Sequence, residues 1–128
     1  MKASVKEWLD FAGVDLLAAE RLCIDEKLAS VVCFHCQQCV EKSLKALLES
    51  KDIIPPKTHD LIRIYGMIEG QFDIEEDMLA SLNGLYIDSR YPAAFGLLPH
   101  GKPAIEDAIK FFEFARELHQ RISDQLKK

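Results

Sequence analysis

Apolar residues recur along this chain at helical spacing, and no stretch alternates apolar and polar as a strand would. Trp8, Ala12, Asp15, Ala19 and Leu22 follow one another at steps of four and three, with Ser4 and Glu7 placed as a capping box ahead of them. A carboxylate at position 15 of such a stripe either reaches solvent at the stripe's edge or is buried against a partner, because an unpaired buried carboxylate is costly. A second helix is predicted from about Ala29 to Lys51, closed by Pro55-Pro56. Thr58 is placed to cap a short third helix over "HDLIRIYGMIEG", with Asp60 in its first turn and Gly66 or Gly70 at its end. Asp73 and Glu76 suggest a further capping box for a fourth helix carrying Met78, Leu79, Leu82, Leu85 and Tyr86, which must stop near Pro92.

The segment "PAAFGLLPHGK" reads as a loop, with two prolines and two glycines. Pro103 suits the first position of a last helix, whose stripe holds Ile105, Ile109, Phe112, Ala115, Leu118 and Ile122 and is widened by Phe111 and Phe114. That width exceeds what one neighbouring helix covers and predicts a twofold subunit interface on this helix or the adjoining loop. The expected architecture is all-α, a four- to five-helix up-and-down bundle forming a single domain over residues 1–128.

Composition narrows the function. The chain is 48% hydrophobic and 29% charged, as expected of a globular protein. Its net charge of −5 and pI near 5.3 argue against a broad electrostatic nucleic-acid binder, although a local basic patch would suffice for a small ligand. No apolar run reaches the roughly 20 residues that span a bilayer. Lys6, Glu7 and Asp10 stand where a signal peptide would need its apolar stretch, so a cytoplasmic protein with reduced thiols is expected.

The chemistry is concentrated in "FHCQQCVEKSLKALL". Cys33, Cys36 and Cys39 are spaced by three, but a straight helix carries Cys39 about 9 Å along its axis from Cys33. No glycine or proline between residues 29 and 51 lets the backbone curl around a metal. The cysteines therefore read as packing, with no metal and no cofactor expected, and His35 as a surface or edge residue. Gln38, Lys42 and Lys45 share a face, and Glu41–Lys45 is an i,i+4 pair, which is either a solvated ion-paired face or a recognition surface.

Four segments in series, "DLLAAERL", "QQCVEKSLKALLES", "PPKTHDL" and "YIDSRYP", resemble a HEPN domain over nearly the whole chain. The resemblance implies a dimerising helical bundle similar to the C-terminal domain of kanamycin nucleotidyltransferase. Many small prokaryotic members resemble partners of a separate minimal nucleotidyltransferase, often in toxin–antitoxin pairs, and the family name proposes nucleotide binding. On this basis Lys42, Lys45, Arg90 and Tyr91 are the expected contacts for a nucleotide or RNA. Catalytic members are metal-independent RNases with an Arg-x4–6-His motif; here Arg90 is followed by His100 with nine residues between, a departure from that spacing. The alternative is thus a divergent RNase using Arg90 and His100, the histidine as acid or base at the ribose 2′-OH and the arginine on the phosphate. His59, after the predicted cap, reads equally well as a local hydrogen-bonding residue or a ligand contact.

Overall fold

The computed structural model describes residues 1–68, 70, 72–90 (residues 86–90 as backbone only) and 103–127. Among these residues the chain forms five α-helices: α1 (Ala3–Leu22), α2 (Ala29–Ser50), α3 (Leu61–Gly66), α4 (Glu76–Arg90) and α5 (Ile105–Leu126), with a 3-10 turn at Glu26–Leu28 leading into α2. The arrangement is a helical bundle with α2 at its centre. Helix α2 packs most extensively on α1, then on α5, and also meets α3 and α4.

Burial explains why α2 is central. Val32, Cys33, Cys36, Cys39, Val40, Leu44, Ala46, Leu47 and Leu48 are all buried, so α2 offers apolar surface nearly all round its second half. A helix apolar on most sides must be enclosed by neighbours. Val5, Leu9, Ala12 and Ala19 close over it from α1, and Ala108, Phe111, Phe112, Ala115, Leu118 and Ile122 from α5.

The expected helix order is observed, but several ends are made differently. Helix α1 begins at Ala3 with Lys2 as its cap and no side-chain cap hydrogen bond, so the Ser4–Glu7 capping box does not form. Helix α2 stops before the prolines. Asp52 takes a left-handed φ of 61°, its N–H donates to the Glu49 carbonyl and the Ile53 N–H to the Leu48 carbonyl, a Schellman closure that uses aspartate where glycine is usual. Asp60, not Thr58, caps α3: its Oδ1 accepts from the N–H groups of Ile62 (3.1 Å) and Arg63 (3.3 Å), while Thr58 Oγ1 accepts from the Asp60 N–H. Pro103 lies outside α5, whose cap is Ala104; the Asp107 carboxylate reaches back to the Ala104 N–H.

The surplus apolar flank expected on α5 is largely taken up inside the chain. Phe111, Phe112 and Leu118 are buried, Phe114 and Ile105 half-buried, and Ile109 alone of that set is exposed. The exposed apolar side chains gather instead on α1 (Phe11, Val14, Leu17) and on the first turns of α2 (Val31, Phe34).

Candidate functional site

Two buried carboxylates, Asp15 on α1 and Glu41 on α2, organise the polar chemistry. Asp15, from the apolar stripe of α1, is buried and fully engaged. Its Oδ1 lies 2.9 Å from His35 Nδ1 and its Oδ2 accepts from Lys42 Nζ at 2.6 Å. The buried, partnered alternative is therefore the one realised, and His35 is a partner of Asp15 rather than a simple surface residue. The residues beside it are aromatic: the Phe34 ring meets the His35 ring edge-on at 5.3 Å, and Lys42 Nζ stands 5.9 Å from the Phe11 ring centre.

The second carboxylate, Glu41, sits on α2 one residue before Lys42, and its side chain is only 4% exposed. Oε2 accepts from Lys45 Nζ at 3.0 Å; Oε1 lies 2.9 Å from His59 Nδ1 and takes a longer bond from Gln37 Nε2 at 3.3 Å. Gln37 Nε2 also donates to the His59 carbonyl at 2.9 Å, and Gln38 Nε2 donates to Gln37 Oε1 at 2.7 Å. The run Thr58-His59-Asp60 is thus fixed residue by residue: Thr58 shapes the turn, His59 is held by backbone and ring to α2, and Asp60 caps α3. Asn83 of α4 completes the lock, donating to Asp60 Oδ1 and accepting from the Leu61 N–H.

The two clusters have the same wiring. In each, one carboxylate oxygen meets the Nδ1 of a histidine and the other holds a lysine. An ionised carboxylate only accepts, so Nδ1 carries the ring proton and Nε2 of the neutral ring is an acceptor. A histidine fixed in tautomer and orientation in this way is suited to ligand contact or proton transfer.

Lys42 and Lys45 do not form a solvated face. The Lys45 side chain is 7% exposed, paired with Glu41 and lying 5.5 Å from the Trp8 ring centre. The Lys42 side chain is 24% exposed and paired with Asp15. The i,i+4 spacing correctly paired Glu41 with Lys45, but it carries no information on what covers the pair, which is Trp8 from α1. The Arg90 side chain, Tyr91 and His100 lie outside the described residues. His59 and Asp15 gained their place from partners distant in sequence, 18 positions away for His59 and 20 and 27 for Asp15.

Cys33, Cys36 and Cys39 are buried in α2, Cys39 on the same helix face as His35 and Lys42, and all three thiols are free. Burial, reinforced by Asp107, pushes the Cys33 thiol up to about 12; burial likewise raises Cys39 to about 12 and Cys36 further. Thiols held protonated are poor nucleophiles and poor metal ligands. Among the described residues no three His, Cys, Asp or Glu side chains converge as a metal site, and no helix is long and apolar enough to cross a membrane.

Comparison with known proteins agrees with this architecture. TT1696 from Thermus thermophilus, known from its crystal structure, superposes with a TM-score of 0.77 at 22% identity, covering 96% of this chain and 98% of its own. The crystal structure of ST0689, an archaeal HEPN homologue, gives a TM-score of 0.72 at 25% identity, covering 98% and 99%. No curated protein matches. The HEPN domain profile matches residues 5–125, and the chain belongs to the HEPN domain family.

Proposed function

We propose that this HEPN chain is a binding module for a nucleotide or RNA, taken on the outer face of the α1–α2 pair. The observation that carries the reading is the duplicated cluster: two histidines, each aligned through Nδ1 by a buried carboxylate whose second oxygen holds a lysine. In this reading His59, 51% exposed at its side chain, is the leading contact, and Lys42 sits at the ligand's edge. Lys45 acts from behind, as the buried ion-pair partner of Glu41. Arg90 and Tyr91 add contacts, as the family resemblance implies. The same resemblance supports a cytoplasmic homodimer working beside a separate minimal nucleotidyltransferase in a toxin–antitoxin-like pair. Calorimetric titration with nucleoside phosphates and a short unstructured RNA tests the reading. Binding that weakens at least tenfold in His59→Gln, with the melting temperature held, is the expected result. A folded protein that binds neither ligand overturns it.

A catalytic reading draws on the Glu41–His59 pair, which has the alignment a general base needs at a ribose 2′-OH. It extends the Arg90–His100 alternative, with His59 in place of or beside His100. RNA cleavage that persists in chelator, is lost in His59→Gln and survives in His100→Ala would select His59. The reverse pattern would select His100.

A further inference from the structure

We propose that the outer stripe of α1 is a self-association face, on which a second copy of this chain docks antiparallel with Val14 on the twofold axis. The seam rests on the homodimer reading above and adds to it a face and a register, on α1 rather than on α5 or its adjoining loop. Phe11, Val14 and Leu17, at 58%, 64% and 49% exposure, are the large apolar side chains of α1 that the bundle leaves uncovered. Glu7, Val14 and Arg21 are spaced by seven, two helical turns, so they keep to one line within about 20° per step. Phe11 and Leu17 flank that line, three residues before and three after Val14. Unpaired charge is confined to the two ends. Glu7 and Arg21 are exposed and make no ion pair among the described residues. Lys6 and Asp10, which border the stripe, neutralise each other at 2.6 Å.

The register follows from this order. Glu7 and Arg21 lie equally far from Val14 on opposite sides, about 10.5 Å along the axis. In an isologous pair every contact of residue i with residue j is repeated as j with i. An antiparallel copy centred on Val14 therefore sets Glu7 level with Arg21 of the second copy, twice over, and Val14 against its own image. Phe11 and Leu17 close over the seam from either side. A parallel pair would set Glu7 beside Glu7 and Arg21 beside Arg21, and like charges oppose it. An apolar centre with charge at its ends is also the division between core and rim that protein interfaces show. A lipid surface fits less well, because it favours lysine and arginine around the apolar face and this face has Glu7 and Asp10 at one end. One helix pair buries little surface, so the association is of the small, reversible kind.

Sedimentation and light scattering of the full chain across the micromolar range test the seam. Expected are a mass that halves in Val14→Asp and an about tenfold weaker association in Glu7→Arg and in Arg21→Glu. The double variant Glu7→Arg/Arg21→Glu should recover, since its charges pair again across the seam. The loss in the single variants should shrink at high salt. All three positions are exposed, and unchanged circular dichroism melts establish that each variant is folded. A wild type that self-associates but keeps its mass in Val14→Asp overturns the seam and leaves the homodimer reading standing on another face. A wild type that stays monomeric overturns both. A double variant no better than either single one overturns the antiparallel register. Mass unchanged in Val14→Asp, with flotation on anionic phospholipid vesicles lost, assigns the face to lipid instead.

Discussion

The Asp15 and Glu41 clusters use the same three residue types in the same wiring, yet they tie together different things. Asp15, His35 and Lys42 join α1 to α2, two helices already held by the largest apolar contact in the bundle. Glu41, Lys45 and His59 join α2 to the segment before α3, where Pro55 and Pro56 and the exposed Ile54 contribute little apolar burial. The first cluster is backed by the apolar core behind it; the second works together with the Gln37–His59 carbonyl bond and the Asn83 contacts to hold its segment. Burial sharpens the difference, since Lys45 is enclosed and Lys42 reaches the surface.

The largest expected effect follows from removing Glu41. Glu41→Ala strands a buried lysine and removes the carboxylate that meets His59 Nδ1, so a loss of about 3–5 kcal/mol is expected from breaking one side of a buried pair. Urea denaturation measures it. Adding Lys45→Met to the same chain should restore much of the loss, because the uncompensated charge goes with it. A cost under about 1 kcal/mol for Glu41→Ala would mean that Lys45 escapes to solvent, and the contrast between the clusters would disappear.

The cysteines of α2 supply a control with no charge pairing at all. Replacing Cys33, Cys36 and Cys39 together by alanine removes well-packed volume and should cost about 1 kcal/mol or somewhat more per site, while leaving ligand binding intact. Their raised values also fix a pH dependence. In the unfolded chain these thiols ionise near the ordinary value of 9.0, whereas burial keeps the folded thiols protonated towards about 12 for Cys33 and Cys39. Their contribution is therefore complete below about pH 9 and is lost as the pH rises through that window. Chemical denaturation between pH 8 and 10.5 should show the wild type losing stability more steeply than the triple variant. Parallel slopes would contradict the assigned burial.

Asp15→Ala should cost less than either, about 1–2 kcal/mol, because Lys42 and His35 can turn to water once their acceptor is gone. If this variant proved as damaging as Glu41→Ala, the seam between α1 and α2 would depend on its ion pair rather than on the apolar contact beneath it.

How much of this the sequence disclosed depends on how local each cause is. The span of α2 follows from a run of apolar positions within one element, and the prediction from about Ala29 to Lys51 lies within a residue of Ala29–Ser50. Helix ends were less legible, because Thr58, Asp60, Ser4 and Asp52 are all competent turn or cap residues and tertiary contacts choose among them. Asp60 wins because Asn83, 23 positions away, bonds to both it and the next residue. The site shows the same limit. Glu41–Lys45 was visible as a spacing, but Asp15–Lys42 joins positions 27 apart and Glu41–His59 positions 18 apart. The fate of the lysines turned on Trp8 and Phe11, whose placement over α2 no pattern within α2 records.

The smallest prediction isolates α1 from both clusters. Gly13 lies mid-helix, where glycine costs roughly 0.5–1 kcal/mol relative to alanine. A methyl group there would meet the His119 ring at 3.9 Å, ordinary van der Waals contact, and His119 is anchored by the Leu9 carbonyl at 3.1 Å from Nε2. Gly13→Ala should therefore raise stability by about 0.5–1 kcal/mol in a thermal melt, stiffening the helix that carries Asp15 from its α5 side. Because Asp15, Lys42 and Phe11 keep their contacts, RNA affinity should stay within about twofold. A loss of stability would show that His119 cannot accommodate even a methyl group. A gain in stability accompanied by altered RNA binding would instead show that the Asp15 cluster senses the packing of α1 on α5.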